Sequence, residues 1–289
     1  MLSDTDVLIE VARCRGCGLL ASEITHPKSG CPVMARMDED SYTQAISSVR
    51  KAQSKQILSV LQQQSLTGRT LLDIGCGAGR FLEEARQGGF HISGVEPDDE
   101  AYNRAMRTLG EGHVIHGTFL GSHLASQSFD VAATLDVLEH IPIDEINDFA
   151  AKTWQVLKTG GIWVIKIPTS DGLYFRIANL ARHIPVLRTF ATTIIKRLWQ
   201  SQYTCPHAFY FNFSSLSQFL SKHGFAVVAH RYLQEVPTST ILNRLLLDDS
   251  ISRFRAWCMV PAFLLVTLLG QMSGKTDSLV VLAKKSSTS

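Results

Sequence analysis

The stretch Leu71-Leu72-Asp73-Ile74-Gly75-Cys76-Gly77-Ala78-Gly79-Arg80-Phe81 constrains this chain more than any other. A short apolar strand, Thr70–Ile74, runs into three alternating glycines, and a helical pattern opens directly behind them. Glycines so placed permit a tight turn and let a ligand approach bare backbone at a helix mouth. Their spacing separates two ligand classes. A nicotinamide-dinucleotide fingerprint reads G-x-G-x-x-G, whereas this chain reads Gly75-x-Gly77-x-Gly79 with Asp73 two residues ahead. A carboxylate there repels a pyrophosphate and suits a cationic ligand with an amino group.

The next strand, His91–Glu96, ends Gly94-Val95-Glu96-Pro97, and a carboxylate at that tip can accept two hydrogen bonds from ribose hydroxyls. A helix is expected over 44–64, then one from the glycines through Arg86, and another over Asp99–Leu109. Further strands are expected at His113–Gly117, Phe129–Leu135 and Ile162–Pro168, with a helix over Asp144–Leu157. The rhythm stops after Pro168. It resumes with a helix at Ser215–His223 and strands at Phe225–Arg231 and Ser278–Lys284. Strands alternating with helices in this way give an α/β fold, a mostly parallel sheet covered on both faces. Residues 1–50 read as an irregular N-terminal segment ahead of a catalytic domain over 51–289, and residues 169–214 and 232–277 read as insertions.

On these residues the chain resembles the class I S-adenosylmethionine-dependent methyltransferases. Asp73-x-Gly75-x-Gly77-x-Gly79 is similar to their first motif, and Glu96 to their ribose-binding acid. Phe129-Asp130-Val131 opens the fourth strand as theirs does. Asp136-Val137-Leu138-Glu139-His140-Ile141 resembles the ubiquinone-biosynthesis-like branch, as does His207 through Phe225, and Leu157-Lys158-Thr159-Gly160-Gly161 resembles its L-K-P-G-G turn. The resemblance implies a Rossmann-like sheet of seven strands, ordered 3-2-1-4-5-7-6 with the last strand antiparallel. It implies S-adenosylmethionine as cofactor, held by Asp73, Gly75, Cys76, Gly77, Gly79, Glu96, Pro97, Thr118, Phe119 and Asp136. One departure is that His116-Gly117-Thr118-Phe119 carries no acid where the family places one near the adenine.

In that topology both insertions leave the sheet at the edge where the glycine turn lies, so they are expected to form a cap. From Gly172 to Gln234 the chain has no Asp or Glu, and seven basic residues give this stretch a charge of +7 within a net charge of +2. Its aromatic residues are Tyr174, Phe175, Phe190, Trp199, Tyr203, Phe209, Tyr210 and Phe211. A basic, aromatic cap favours a small-molecule acceptor that is anionic, partly apolar or lipid-linked; alternatively these residues pack the cap and the arginines are solvated. The run Ala256 to Gly270, 15 residues with Pro261 inside, is expected to be too short to span a membrane, for which roughly 20 apolar residues are needed. Behind Arg253 and Arg255 it suggests peripheral membrane contact. The first 30 residues hold no apolar secretory core, so a cytoplasmic location is expected.

Methyl transfer to oxygen gains from a base, and His140 and His207 are the candidate catalytic residues. Asp136, Glu139 and His140 are also similar to the branch's E-x-x-E-H metal site, with Asp for the first Glu; three ligands without a fourth lead to the expectation of no metal. Cys14-Arg15-Gly16-Cys17-Gly18 resembles half a zinc knuckle, and with only Cys31 and His26 to complete it, free thiols are expected. A near-balanced charge and no Asn/Asp-Pro-Pro-Tyr-type segment argue against a nucleic-acid substrate. The expected activity is methyl transfer to a small acceptor such as a glycan, a quinone precursor or a lipid-linked intermediate. The rival is a non-catalytic binder of the cofactor that docks on membranes.

Overall fold

A computed structural model describes residues 11–22, 39–185, 188, 191, 194–195, 198–200, 206–246 and 252–286. His26, Cys31, Phe190, Lys196, Arg197 and Tyr203 lie outside the described residues.

The elements follow the chain as β1 (Val11–Arg13), β2 (Leu20–Ser22), α1 (Glu39–Gln62), β3 (Thr70–Ile74), α2 (Arg80–Gln87), β4 (His91–Glu96), α3 (Asp99–Leu109), β5 (Val114–His116) and β6 (Phe129–Leu135). They continue with α4 (Ile146–Val156), β7 (Leu157–Pro168), α5 (Leu173–Ala181), β8 (Phe209–Tyr210), α6 (Phe213–Lys222), β9 (Phe225–Leu233), α7 (Ile241–Leu246), α8 (Arg253–Ser273) and β10 (Ser278–Lys285).

Seven strands form one sheet in the order β5-β4-β3-β6-β7-β10-β9. The pairs from β5 through β7 are parallel, and β10 runs antiparallel to both β7 and β9. This is the expected order, with the last strand inserted between the fifth and sixth of the sheet.

Period-two alternation divides the core between the two faces of the sheet. Leu72, Ile74, Trp163, Ile165 and Ile167 face a cluster completed by Phe149 of α4, Leu216 and Leu220 of α6, and Phe225. Their neighbours Leu71, Ile162 and Val164 face the other cluster, with Ile57 and Leu61 of α1, Phe81 and Leu82 of α2, and Leu109 of α3. Each of these fully buried large side chains contributes about 1.5–3 kcal/mol.

Pro168, Leu233 and Ser278 lie level with one another in the register, so both insertions leave the sheet at its carboxyl edge and the second rejoins it there. They also pack on each other there. Tyr174 of α5 donates its hydroxyl to the Phe263 carbonyl of α8 at 2.8 Å and meets Thr267 Oγ1 at 2.7 Å. The second insertion is more ordered than its sequence suggested. It contains a helix of 21 residues, capped by Ser252 and closed by Gly274 in the left-handed region at φ 66°. The apolar run counted from composition covers only 15 of these residues, Ala256 to Gly270. Pro261 lies inside this helix and is exposed on its outer side. By length and composition α8 is long and apolar enough to cross a membrane, which corrects the expectation drawn from the 15-residue run.

The N-terminal hairpin is joined to the cap. β2 pairs with β8, and the Asn212 amide at the head of α6 donates to the Cys17 carbonyl at 3.2 Å. The Cys14–Cys17 turn closes with Gly18 N–H on the Cys14 carbonyl at 3.0 Å, and hydrogen bonds from Cys17 lower the Cys14 thiol below the usual range.

Candidate functional site

The glycine turn lies between β3 and α2 at the carboxyl edge of the sheet. Gly75, Gly77 and Gly79 have φ of 72°, 54° and 78°, a region that side chains enter at a cost of about 1–2 kcal/mol. The three differ in what surrounds them. A Cβ on Gly75 would stand 2.7 Å from Val137 Cγ2, and one on Gly79 2.7 Å from Leu109 Cδ1. A Cβ on Gly77 would meet nothing within 4 Å. Two glycines therefore serve close packing, and the middle one faces open space.

Glu96 ends β4 beside that opening and is 6% exposed. Its Oε2 accepts the Gly77 N–H at 2.7 Å and its Oε1 the Asp98 N–H at 3.0 Å. Burial raises the Glu96 carboxyl, and the two backbone donors oppose that shift. Asp73, on β3, is buried; desolvation and the charge of Glu96 hold its carboxyl well above the usual range. Cys76 is buried too, and its thiol is pushed up by burial and both acids. Pro97 follows Glu96 and is half-buried.

The residues expected near the adenine have other contacts. Thr118 Oγ1 accepts from Gly121 N–H at 3.1 Å, and Phe119 is a core residue, edge-on to Phe149 at 5.0 Å. In the same segment, His116 stacks on Tyr102 at 4.5 Å and its Nε2 lies 3.0 Å from Asp99 Oδ1.

Past β6 the chain turns sharply. Asp136 takes φ 57°, a strained conformation for a side-chain-bearing residue, with its N–H on the Lys166 carbonyl at 2.8 Å. The Asp136 carboxylate pairs with Arg50 of α1, and both its oxygens accept from Lys166 Nζ at 2.8 Å. Lys166, 1% exposed, also pairs with Glu235 at 2.6 Å, and Glu235 accepts from Ser278 Oγ at 2.6 Å and Gln53 Nε2 at 3.2 Å. Burial would raise the Glu235 carboxyl, but the Lys166 and Arg50 charges hold it far below the usual range. Arg50, Gln53, Lys166 and Glu235 were not singled out in the sequence. A lone lysine inside the apolar strand Ile165-Lys166-Ile167 was the available signal.

His140 and His207 are brought together from segments 67 residues apart, with ring centroids 4.8 Å apart and the planes crossed at 67°. Glu139 joins them: one ligand atom from each of Glu139, His140 and His207 lies within 4.8 Å of the others. Glu139 is 1% exposed and its Oε2 has no hydrogen-bond partner. Burial and the nearby Asp136 push its carboxyl well up, which favours the protonated acid. The backbone fixes the pair from both sides. Ala208 N–H donates to the Glu139 carbonyl at 2.7 Å, and the Ser22 hydroxyl of β2 donates to the His207 carbonyl at 2.8 Å. The resemblance to an E-x-x-E-H metal site is thus only half reproduced. Asp136 is engaged by Arg50 and Lys166 and is not part of the cluster that the described residues form; His207 takes its place.

A cavity of about 330 Å³ opens between α1, the end of β9 and α8, lined by Gln53, Gln56, Tyr232, Gln234, Gln271 and Gly274 among others. Gln53 bridges it to the charged cluster, donating to the Gln234 carbonyl at 2.9 Å as well as to Glu235.

A family profile described as a methyltransferase domain matches residues 48–230. The chain belongs to this methyltransferase-domain family. Among its relatives is a ubiquinone biosynthesis O-methyltransferase of Bradyrhizobium sp. (strain ORS 278), 28% identical over 116 residues, which are 39% of this chain and 45% of that one. The chain spans less than half the length of the curated relatives it matches first. A SAM dependent methyltransferase from Archaeoglobus fulgidus shares the fold of this methyltransferase-domain protein with a TM-score of 0.53 at 19% identity, over 82% of this chain and 94% of that one. So does a 1,6-didemethyltoxoflavin-N1-methyltransferase from Burkholderia thailandensis, with a TM-score of 0.52 at 13% identity, over 96% and 100% of the two chains.

Proposed function

We propose that this methyltransferase-domain protein transfers a methyl group from S-adenosylmethionine to an oxygen of a small-molecule acceptor. The observation that carries the reading is the glycine turn, whose middle residue faces protein-free space while Glu96 stands buried beside it. The residues present fit the cofactor: bare backbone at Gly77 and, beside it, the strand-end carboxyl of Glu96 for a ribose diol. When bound, S-adenosylmethionine supplies a methyl group on a positively charged sulfur, so its leaving group is already in place.

The chain's own contribution is placement and proton removal. Glu96 holds the ribose hydroxyls, and its two backbone donors fix the carboxylate in position. One imidazole of the His140–His207 pair takes the proton from the acceptor hydroxyl as the oxygen becomes nucleophilic. The acidic Glu139 beside them, held toward its neutral form, leaves that proton on imidazole and adds no net charge. Most of the rate would come from in-line positioning. Relatives named for ubiquinone biosynthesis O-methylation support oxygen as the acceptor atom and make a quinone precursor the first acceptor class to try.

The test pairs binding with turnover. Calorimetric titration of the full chain with S-adenosylhomocysteine is expected to show one site, and S-adenosylhomocysteine release from S-adenosylmethionine is expected with phenolic quinone precursors. His140→Ala is expected to lose turnover while keeping cofactor affinity. Tight cofactor binding with no release across phenolic, glycan and lipid-linked acceptors would favour the non-catalytic binder instead.

A further inference from the structure

Helix α8 is apolar on every side, yet the protein covers only one of them. On its inner stripe Ala256, Thr267 and Gly270 are buried, and Met259, Val260 and Phe263 pack with α7. The opposite stripe faces outward. Phe254, Trp257 and Met272 are 79%, 63% and 84% exposed, with Leu265, Leu268 and Leu269 exposed between them. From Ala256 to Gly274 there is no charged residue. The outward stripe from Phe254 to Met272 is roughly 27 Å long at helical rise. Helix α5 lies alongside and extends the patch with exposed Ile177 and Leu180.

Among the described residues, the exposed charges on and directly flanking these two helices are basic. Arg253 and Arg255 stand at one end of α8 and Lys275 follows the other, while Arg176 and Arg182 lie on and just after α5; all five are exposed. Neither helix contains an acidic residue. An apolar stripe rimmed by cations matches an anionic bilayer surface, with hydrocarbon below and phosphate at the rim.

Other occupants fit less well. A spanning orientation would place the flanks of α8 on opposite sides of the membrane, but α7 shares a core cluster with α8 and β10 is an interior strand of the sheet. Both flanks belong to one body. A symmetric contact with a second copy would bring the same five cations against one another.

We propose that the α8–α5 face docks this protein on an anionic phospholipid bilayer, with α8 in the membrane plane and its outer stripe in the headgroup–acyl boundary. Gln271 and Gly274, at the carboxyl end of α8, also line the 330 Å³ cavity, so docking would hold that cavity next to the interface. The proposal goes beyond methyl transfer and does not depend on it, since lipid binding is read without turnover.

The experiment is co-sedimentation of the full chain with vesicles of phosphatidylglycerol and phosphatidylcholine, against phosphatidylcholine alone, at low and high ionic strength. Binding to the anionic vesicles at low salt and release at high salt are expected. Arg253→Ala with Arg255→Ala should weaken it roughly thirtyfold, at about fivefold for each cation removed. Leu265→Glu with Leu269→Glu should abolish it, with circular dichroism and S-adenosylhomocysteine affinity unchanged because both leucines are exposed. No binding at low salt overturns the proposal. So does equal binding to neutral vesicles, or binding that survives the leucine changes. A dimer in sedimentation equilibrium that those changes dissolve, without vesicle binding, would assign the face to a second copy.

Discussion

The three glycines of the β3–α2 turn share a backbone conformation but not an environment, and that difference is measurable. Each has positive φ, so alanine at any of them costs about 1–2 kcal/mol in backbone strain. At Gly77 little else is added, because the new methyl would meet no protein atom within 4 Å. At Gly75 the methyl would stand 2.7 Å from Val137 Cγ2, on a β-branched side chain with little freedom to turn. At Gly79 it would stand 2.7 Å from Leu109 Cδ1 and 3.0 Å from its Cγ, on a buried leucine. Overpacking of this kind adds about 1–3 kcal/mol. Gly75→Ala and Gly79→Ala should therefore lose about 2–5 kcal/mol in urea unfolding, and Gly77→Ala about 1–2 kcal/mol. Binding should rank the other way. Gly77→Ala fills the space in which the cofactor is proposed to sit, so its S-adenosylhomocysteine affinity should drop most relative to its stability loss, and Gly77→Val should abolish binding in a folded protein. Calorimetry and urea titration on the same four preparations decide it. If Gly77→Val binds normally, or if Gly77→Ala is the least stable of the three alanine variants, the open space is not the cofactor's.

Four further outcomes are expected. Glu96→Ala should weaken S-adenosylhomocysteine by at least about tenfold, since a buried carboxylate with charge-assisted bonds is lost; unchanged affinity would remove Glu96 from the ribose site. Lys166→Met strands Glu235 and half of the Asp136 pairing in the interior and should cost about 3–5 kcal/mol, read by urea unfolding. Because the folded Glu235 carboxyl is held below its unfolded value, its contribution is present above about pH 4 and declines as pH falls further, so the acid limb of the wild-type stability curve should flatten in Glu235→Gln. Turnover should survive dialysis against chelator; a strict requirement for a divalent ion, lost in Glu139→Gln, would instead make Glu139, His140 and His207 its ligands.

Strands β3, β4 and β6 were legible to the residue, because short apolar runs bounded by glycine, proline or acidic residues leave little choice of ends. The glycine turn and Glu96 were legible for a related reason: a ligand approaching backbone at a strand end needs those residue types at that spacing, and the spacing is local. Helix α8 was only partly legible. Its apolar run was visible over 15 residues, and only the structure shows the helix running from Arg253 to Ser273, through Pro261 and beyond both ends of that run.

What the sequence could not determine by itself is whatever depends on which distant segments meet. Parity along β7 puts Lys166 on the same face of the sheet as Ile162 and Val164, the face covered by α1. That α1 brings Arg50 and Gln53 there, and that the end of β9 brings Glu235, follows from the sheet order and the insertion path. His140 and His207 were each visible as candidates, yet their 4.8 Å separation is set by β8, whose start is pinned by Ser22 from one end of the chain and Glu139 from the middle. The sequence determined the local chemistry of the glycine turn, because strand, glycines and acid are contiguous or one crossover apart. The tertiary structure decided the histidine pair, the buried charge cluster and the uncovered face of α8, because burial and proximity are properties of packed surfaces rather than of any single segment.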